Sequence, residues 1–513
     1  MNNSSKSMIN TQVVQQTEKP TMIYVILGLI IFLAVSIRLY INFHNQLMPG
    51  INAIYHPVQV RALLETGQLG FPDFPLLFYL EAGLAKIMQI FTSCDLSNCI
   101  MFSAKIIDSL LYPLIAIPTF LLARAVVGKE GPRWIPLVIS ALTTISAFTF
   151  IMMADFQKNA LGLLWSMFFI YFLYQGTSEG KAIDYFWAGL FFILTGLTHL
   201  GALGFIIAFS VSFLFFSFIF KRERRIDLIK MALLLFLAVV SVLAFLFFFD
   251  PGRWETLTSV IMRPLKIFAQ PIIVGMLNGQ IPLMPPLIFC SLVANSLAIL
   301  GLILLVKKRK EIPVQEKTLL LASLLVTIFL VFPFLGTEWA NRLYLMAYLP
   351  ASLILILLLK YIYKKWLKIL LAVLALIIMI IPTPIVIIVR GAPSISEDAY
   401  RDLLKLKTEI IDPSKTLIIT RHGLEWWTAW LMKVDVAQGW GLTEKDVDKY
   451  HDIYYLKQKS GHGNFGPLGP GGPSFPEVEI PSQSKIVYED EFFILAKALP
   501  GFLQYYQKEK KRK

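Results

Sequence analysis

Apolar runs of roughly the 20 residues that a helix needs to cross a hydrocarbon core recur along the first 390 residues, and they constrain the fold more than any other feature. They fall at about 22–43, 102–123, 134–153, 159–175, 183–198, 201–220, 228–249, 284–306, 318–335, 339–359 and 367–389. Eleven such runs in a chain that is 56% hydrophobic and 16% charged make lipid the solvent, because so little polar surface cannot cover a water-soluble globule.

The loops test this assignment. Lys and Arg collect in short loops on the cytoplasmic side. Taken alternately, one set of loops holds about twenty of them, from Lys6 and Lys19 through the cluster at 221–230 to Lys360, Lys364, Lys365 and Lys368. The other set holds little beyond Lys158, Arg253, Arg263, Lys266 and Arg342. The bias places the N-terminus in the cytoplasm and everything after residue 390 outside. It also excludes the apolar stretch 75–91 as a span, since crossing there would invert every later loop. With Glu81 and Lys86 inside it, that stretch reads as an amphipathic helix on the outer surface or tucked between spans, within a long first outer loop at 44–101.

The expected organisation is a polar cytoplasmic tail (1–21) with no cleaved signal, a multi-span membrane domain (22–390) and an extracytoplasmic domain (391–513). The net charge of +13 sits mostly in the inner loops, so it gives no reason to invoke nucleic acid. Beyond residue 390 the composition turns polar, enough for one small α/β domain. Helical spacing covers 396–409, a β-rich run lies at 416–420, a second helix is expected at 424–432 and paired strands at 484–498. The Gly- and Pro-rich stretch 461–476 cannot hold a regular element and is either a substrate lid or a connector. Cys94 and Cys99 share the long outer loop, where a disulfide can form, and Cys290 lies in a span. No nucleotide-binding or metal-ligand spacing is present.

Ionisable groups at the ends of spans are costly in lipid and count as functional candidates. Here they favour the outer side: His56, Arg61, Glu65 and Asp73 in the first loop, Asp155 and Lys158 in the third-to-fourth turn, His199 in the fifth-to-sixth, then Asp250, Arg253, Glu255, Glu338 and Arg342. Carboxylates beside cations suit transfer of a sugar from a lipid phosphate, in which an acceptor hydroxyl needs a base and the leaving phosphate needs a cation or a metal. Such a donor already stores its energy in the phosphate ester, which agrees with the missing nucleotide motif. The bland reading, solvated caps of helices, competes at every one of these positions.

Three segments carry a resemblance: MPGINAIYHPVQVRALLETGQLGFPDFPLLFYLEAGLAKI at 48–87, MMADFQKNALGLLW at 152–165 and EWANRLYLMAYLP at 338–350. They resemble the GT-C superfamily of membrane glycosyltransferases, which includes protein O-mannosyltransferases, aminoarabinose transferases and oligosaccharyltransferases. The resemblance implies a polyprenyl-phosphate-linked sugar donor, a glycan, lipid or protein acceptor and membrane lipids as surroundings; a divalent cation, Mg or Mn, is a candidate cofactor at the leaving phosphate. It implies a first acid soon after the first span, where this chain has Asn52, an amide that cannot act as a base. A second acid is implied where Asp155 stands.

Asp73 is a candidate to replace the first carboxylate, and Asn52 a candidate to position the acceptor. Arg342 resembles a phosphate-facing arginine, with interfacial snorkelling as its alternative. Lys158 is expected to pair with Asp155 or with donor phosphate. His56, Arg61, His199 and Glu338 complete the candidate substrate-binding set. Trp426, Trp427 and Trp430 read as core packing. A lipid-linked sugar transporter and a non-catalytic glycolipid-binding protein remain as alternatives.

Overall fold

The structure, a computed structural model, describes residues 20–221, 223, 225–249, 251–277, 285–438, 449–459, 477–482 and 484–499. The stretch 461–476, nearly all of the N-terminal tail and the basic end 508–513 lie outside these residues.

The chain is a multi-pass α-helical membrane protein with a small α/β domain at its C-terminal end. Among the described residues, nine helices are long and apolar enough to span: Met22–His44, Leu96–Val127, Trp134–Ile151, Gln157–Glu179, Leu200–Phe220, Arg225–Phe249, Leu287–Lys308, Trp339–Tyr361 and Lys365–Ile388. The two other expected spans are helices of 17 residues each, Ala182–Thr198 and Val314–Leu330. Four of these spans are interrupted along their length, two of them for plain local reasons. Pro113 lacks an N–H and tightens Tyr112–Ile115 into a 3-10 turn, and Ser146 is extended between helices Trp134–Ile145 and Ala147–Ile151.

At the centre stands helix Tyr348–Tyr361, in which every side chain from Tyr348 to Leu359 is buried. Arg225–Phe249 is peripheral and turns Ile229, Leu233, Phe236 and Phe247 outward, the side chains of a lipid-facing surface.

Four helices position the site. α1 is Pro20–His44, α2 Tyr55–Thr66, α3 Leu76–Phe91 and α4 Leu96–Leu110. α3 occupies the stretch excluded above as a span. One face buries Leu77, Phe78, Glu81, Ala82 and Ala85, while Tyr79, Ile87, Ile90 and Phe91 are exposed. Cys94 and Cys99 are joined by a disulfide at the start of α4.

The C-terminal sheet has five strands, β1 (Thr416–Thr420), β2 (Asp435–Gln438), β3 (Asp452–Gln458), β4 (Lys485–Glu489) and β5 (Phe493–Lys497), in the order β2-β1-β3-β5-β4. β1 runs parallel to both neighbours, and its TLIIT run is buried along its whole length, as a strand covered on both faces requires. Helix Leu424–Met432 packs against β1 and β2, and helix Glu397–Leu406 against β5, the latter capped by Ser396, whose Oγ accepts the Ala399 N–H at 3.1 Å. This domain shares one hydrophobic core with the first loop: Met48, Ile54 and Val58 pack in the same cluster as Ile395, Leu403, Leu424 and Trp427.

Candidate functional site

The site forms where the chain leaving α1 crosses the turn before helix Gln157–Glu179. Asp155 sits at this crossing, 2% exposed at its side chain. Its Oδ1 accepts the backbone N–H groups of Ile51 and Asn52, both at 2.7 Å, and its Oδ2 accepts from the Arg390 guanidinium at 2.7 Å. Gly50 makes the approach possible. It holds φ +89°, donates to the Ala392 carbonyl at 2.9 Å, and a Cβ there would stand 2.5 Å from Asp155 Oδ1. On the other side Ala154 takes φ 62°, in a tight turn closed by the Asp155 N–H on the Met153 carbonyl at 2.7 Å. A non-glycine residue at positive φ costs about 1–2 kcal/mol, so the surroundings hold Asp155 in place against local preference.

The second carboxylate, Asp73, is 3% exposed. Its Oδ2 accepts from the Tyr55 hydroxyl at 2.5 Å and from the Lys158 ammonium, and its Oδ1 accepts the Phe74 N–H at 2.8 Å. Gln59 fixes the loop that carries it, exchanging hydrogen bonds with both backbone groups of Phe71 at 2.8 and 2.9 Å and donating to Tyr55 Oη at 2.8 Å. Lys158 faces the rings of Tyr55 and Phe78, at 5.4 and 5.5 Å from the centroids.

Sequence reading left Lys158 to pair with Asp155 or with phosphate; its carboxylate partner in the structure is Asp73. The helix starts only at Gln157, and the left-handed Ala154 directs Asp155 towards Gly50 and Arg390 instead.

Asn52 reaches the C-terminal domain. Its amide oxygen accepts from the Trp426 indole N–H at 3.2 Å, and the Trp426 ring packs edge-on against Tyr55 and Phe71 at 4.8 and 5.3 Å. Trp427 and Trp430 are buried in the domain core, as expected, while Trp426 bridges.

His56 and Glu81 lie behind this layer. Their closest approach is 3.9 Å, beyond hydrogen-bond range, and His56 Nδ1 and both Glu81 oxygens have no hydrogen-bond partner among the described residues. Burial, with Asp108 adding, holds the Glu81 carboxyl well above the usual carboxylate range. Burial, with Lys158 adding, drops the His56 imidazole to about 3.

Two expected binding residues, Arg61 and His199, make contacts within the fold. Arg61 donates to the carbonyls of Ala429 (2.9 Å) and Trp430 and covers the Trp430 ring, which anchors α2 to the C-terminal domain. His199 caps helix Leu200–Phe220 by accepting the Ala202 N–H at 3.2 Å. Glu338 and Arg342 lie on helix Thr337–Leu343, with Arg342 exposed. Asp250 lies outside the described residues.

Sequence reading missed Tyr55, Gln59 and Arg390 as members of the site, and Arg38, Lys105 and Asp108 beneath it. The last three were visible as charges inside apolar runs, the signal that marks intramembrane function. Arg390 had no such signal, because a cation closing the last span reads as an interfacial anchor.

The carboxylates present do not match a divalent cation as arranged. Asp155 is engaged by two N–H groups and a guanidinium, Asp73 by an ammonium and a phenol, so a cation would have to displace like charge at both. Among the described residues no group of three or more His, Cys, Asp or Glu side chains is placed to hold a metal ion.

Among solved structures, the chain is similar to the oligosaccharyltransferase of Archaeoglobus fulgidus. The complex of that protein with Zn and sulfate superimposes with a TM-score of 0.53 at 13% identity, covering 83% of this chain and 67% of the other. Its apo form gives 0.55 at 12% identity, covering 84% and 69%. ArnT from Cupriavidus metallidurans bound to undecaprenyl phosphate aligns over 94% of this chain and 99% of its own, at 10% identity and a TM-score of 0.39. At these identities the likeness is one of fold. No protein-family model matches the sequence, and no curated protein matches it.

Proposed function

We propose that the protein is a membrane glycosyltransferase that moves a sugar from a polyprenyl-phosphate-linked donor to a hydroxyl of a glycan, lipid or protein. Transfer takes place at the outer face, with the N-terminus in the cytoplasm and the C-terminal domain outside, as the loop charges favour. The observation that carries this reading is the meeting of Asn52, Tyr55 and Asp73 from the first loop with Asp155 and Lys158 from the third-to-fourth turn. The likeness in fold to an oligosaccharyltransferase supports the class of chemistry, and the donor and acceptor are part of the proposal.

The two carboxylates divide the work. Asp155, saturated by three donors, holds the first loop in place. Asp73 is the base: it shares one oxygen with a phenol and an ammonium, and donor phosphate competing for Lys158 would release it. The acceptor oxygen then bonds to the anomeric carbon, the bond from that carbon to the phosphate oxygen breaks, and the acceptor proton goes to Asp73. Lys158 neutralises the departing lipid phosphate. Asn52, held by Trp426, orients the acceptor.

The test is transfer from a labelled pool of polyprenyl-phosphate sugars by purified protein in detergent. Asp73→Asn is expected to lower kcat by about 10²–10⁴-fold. A second reading, a glycolipid-binding protein without catalysis, is favoured by the amide at residue 52. Wild-type protein that transfers nothing across a wide donor panel, with activity appearing in Asn52→Asp, would establish it.

A further inference from the structure

Beneath the site, one turn of α4 grips both backbones that meet above it. Lys105 Nζ donates to the carbonyls of Asn45 (2.9 Å), Gln46 (3.0 Å) and Leu47 (3.3 Å), the chain that leaves α1 and becomes the Gly50–Asn52 crossing. One turn on, Asp108 Oδ2 accepts the N–H of Ala154 at 3.3 Å, next to Asp155. The same carboxylate takes Arg38 on Oδ1 at 3.1 Å and Asn42 on Oδ2 at 3.0 Å, and Asn42 also donates to Ser109 Oγ at 2.9 Å. Arg38 is wholly buried, faces the Tyr112 ring at 4.7 Å, and sends its second amino group to the Thr149 carbonyl at 2.7 Å, at the head of the turn that ends in Asp155.

Stability does not explain such a network. Buried ion pairs roughly break even against well-packed apolar residues of the same volume, and charges at membrane depth are dearer still. What the polar groups add is direction, since each hydrogen bond ties a particular backbone atom to a rigid helix.

We infer that residues 105–109 of α4, with Arg38, form the positioning element of the site, setting the register between the Asp155 carboxylate and the N–H groups of Ile51 and Asn52. Lys105 places one side of that contact and Asp108 the other. Neither touches the reacting atoms, so both are positioning residues. Their catalytic consequence rests on the glycosyltransferase reading; the positioning itself does not.

The experiment uses the full chain in detergent and the double variant Arg38→Met/Asp108→Leu, which removes the pair without stranding a charge. The thermal midpoint is expected to stay near that of wild type. Hydrogen exchange in the peptide 48–56, which carries the Ile51 and Asn52 amides, is expected to quicken about tenfold while 416–432 is unchanged. In the transfer assay kcat is expected to fall about a hundredfold with KM nearly constant, the split that misplacement produces and simple destabilisation does not. Wild-type exchange in a folded double variant overturns the inference. Quickened exchange in a protein whose wild type transfers no sugar upholds it and overturns the enzyme reading. If the double variant fails to fold, Lys105→Met decides by the same exchange measurement, unchanged protection of 48–56 overturning the inference and faster exchange supporting it.

Discussion

The Arg390 guanidinium donates to the Asp155 carboxylate across 2.7 Å, and so ties the last helix before the C-terminal domain to the turn before helix Gln157–Glu179. Both side chains are more than nine-tenths buried. Removing one partner of such a pair strands the other charge, which typically costs about 3–5 kcal/mol. Arg390→Met is therefore expected to lower the thermal midpoint measured in detergent and to abolish transfer. A wild-type midpoint in this variant would mean that the pair holds nothing.

Gly50 is expected to be intolerant for two independent reasons. Alanine there meets positive φ and the Asp155 oxygen together, and strain plus overpacking amounts to about 2–4 kcal/mol. Gly204→Ala is the control, because nothing lies within 4 Å of a Cβ at that position. Thermal unfolding of both variants checks the contrast: Gly50→Ala falls and Gly204→Ala does not.

Trp426→Phe keeps the ring that packs on Tyr55 and Phe71 but deletes the N–H donated to Asn52. One partly buried hydrogen bond is worth about 1 kcal/mol, so the fold should survive. Acceptor KM is expected to rise more than donor KM, because the change frees the residue assigned to orient the acceptor. Equal changes in the two would remove Asn52 from that role.

The pH dependence of stability has two arms. His56 titrates near 3 in the folded protein and at its ordinary 6.5 when unfolded, so the unfolded chain binds more protons between those values and stability is lost as pH falls through that window. Glu81 titrates higher folded than unfolded, so its contribution is fully present below about 4.5 and is lost as pH rises through the folded value. Thermal midpoints against pH should show His56→Gln flattening the acid arm and Glu81→Gln the alkaline arm. Either variant leaving its arm intact would show that the group does not carry it.

Membrane orientation is checked with single cysteines, since Cys94 and Cys99 are bonded and Cys290 is buried. Glu491→Cys and Lys310→Cys are both at exposed positions. An impermeant maleimide on intact cells is expected to label the first, and the second only after permeabilisation. The reverse pattern inverts the assigned topology.

What the linear sequence determined is the part of the fold that follows from local pattern. Apolar runs of spanning length specify helices in lipid, TLIIT specifies a strand covered on both faces, and LEWWTAWLM a short helix, because periodicity and burial act on neighbours in the chain. The short β2 and the polar-flanked β3 were not visible, as strands of that kind are defined by the β1 edge they pair with. Asp73, Asp155 and Lys158 were also legible as candidates, because charge at the end of an apolar run is costly and needs a reason. Partner choice was not. Tertiary structure decided that Lys158 meets Asp73, that Arg390 takes Asp155 from 235 residues away, that Arg61 serves two carbonyls of another domain, and that Lys105 and Asp108 underlie the crossing. The physical reason is that a hydrogen bond depends on tenths of an ångström and on direction, and those are fixed by how distant helices pack, which no local pattern contains.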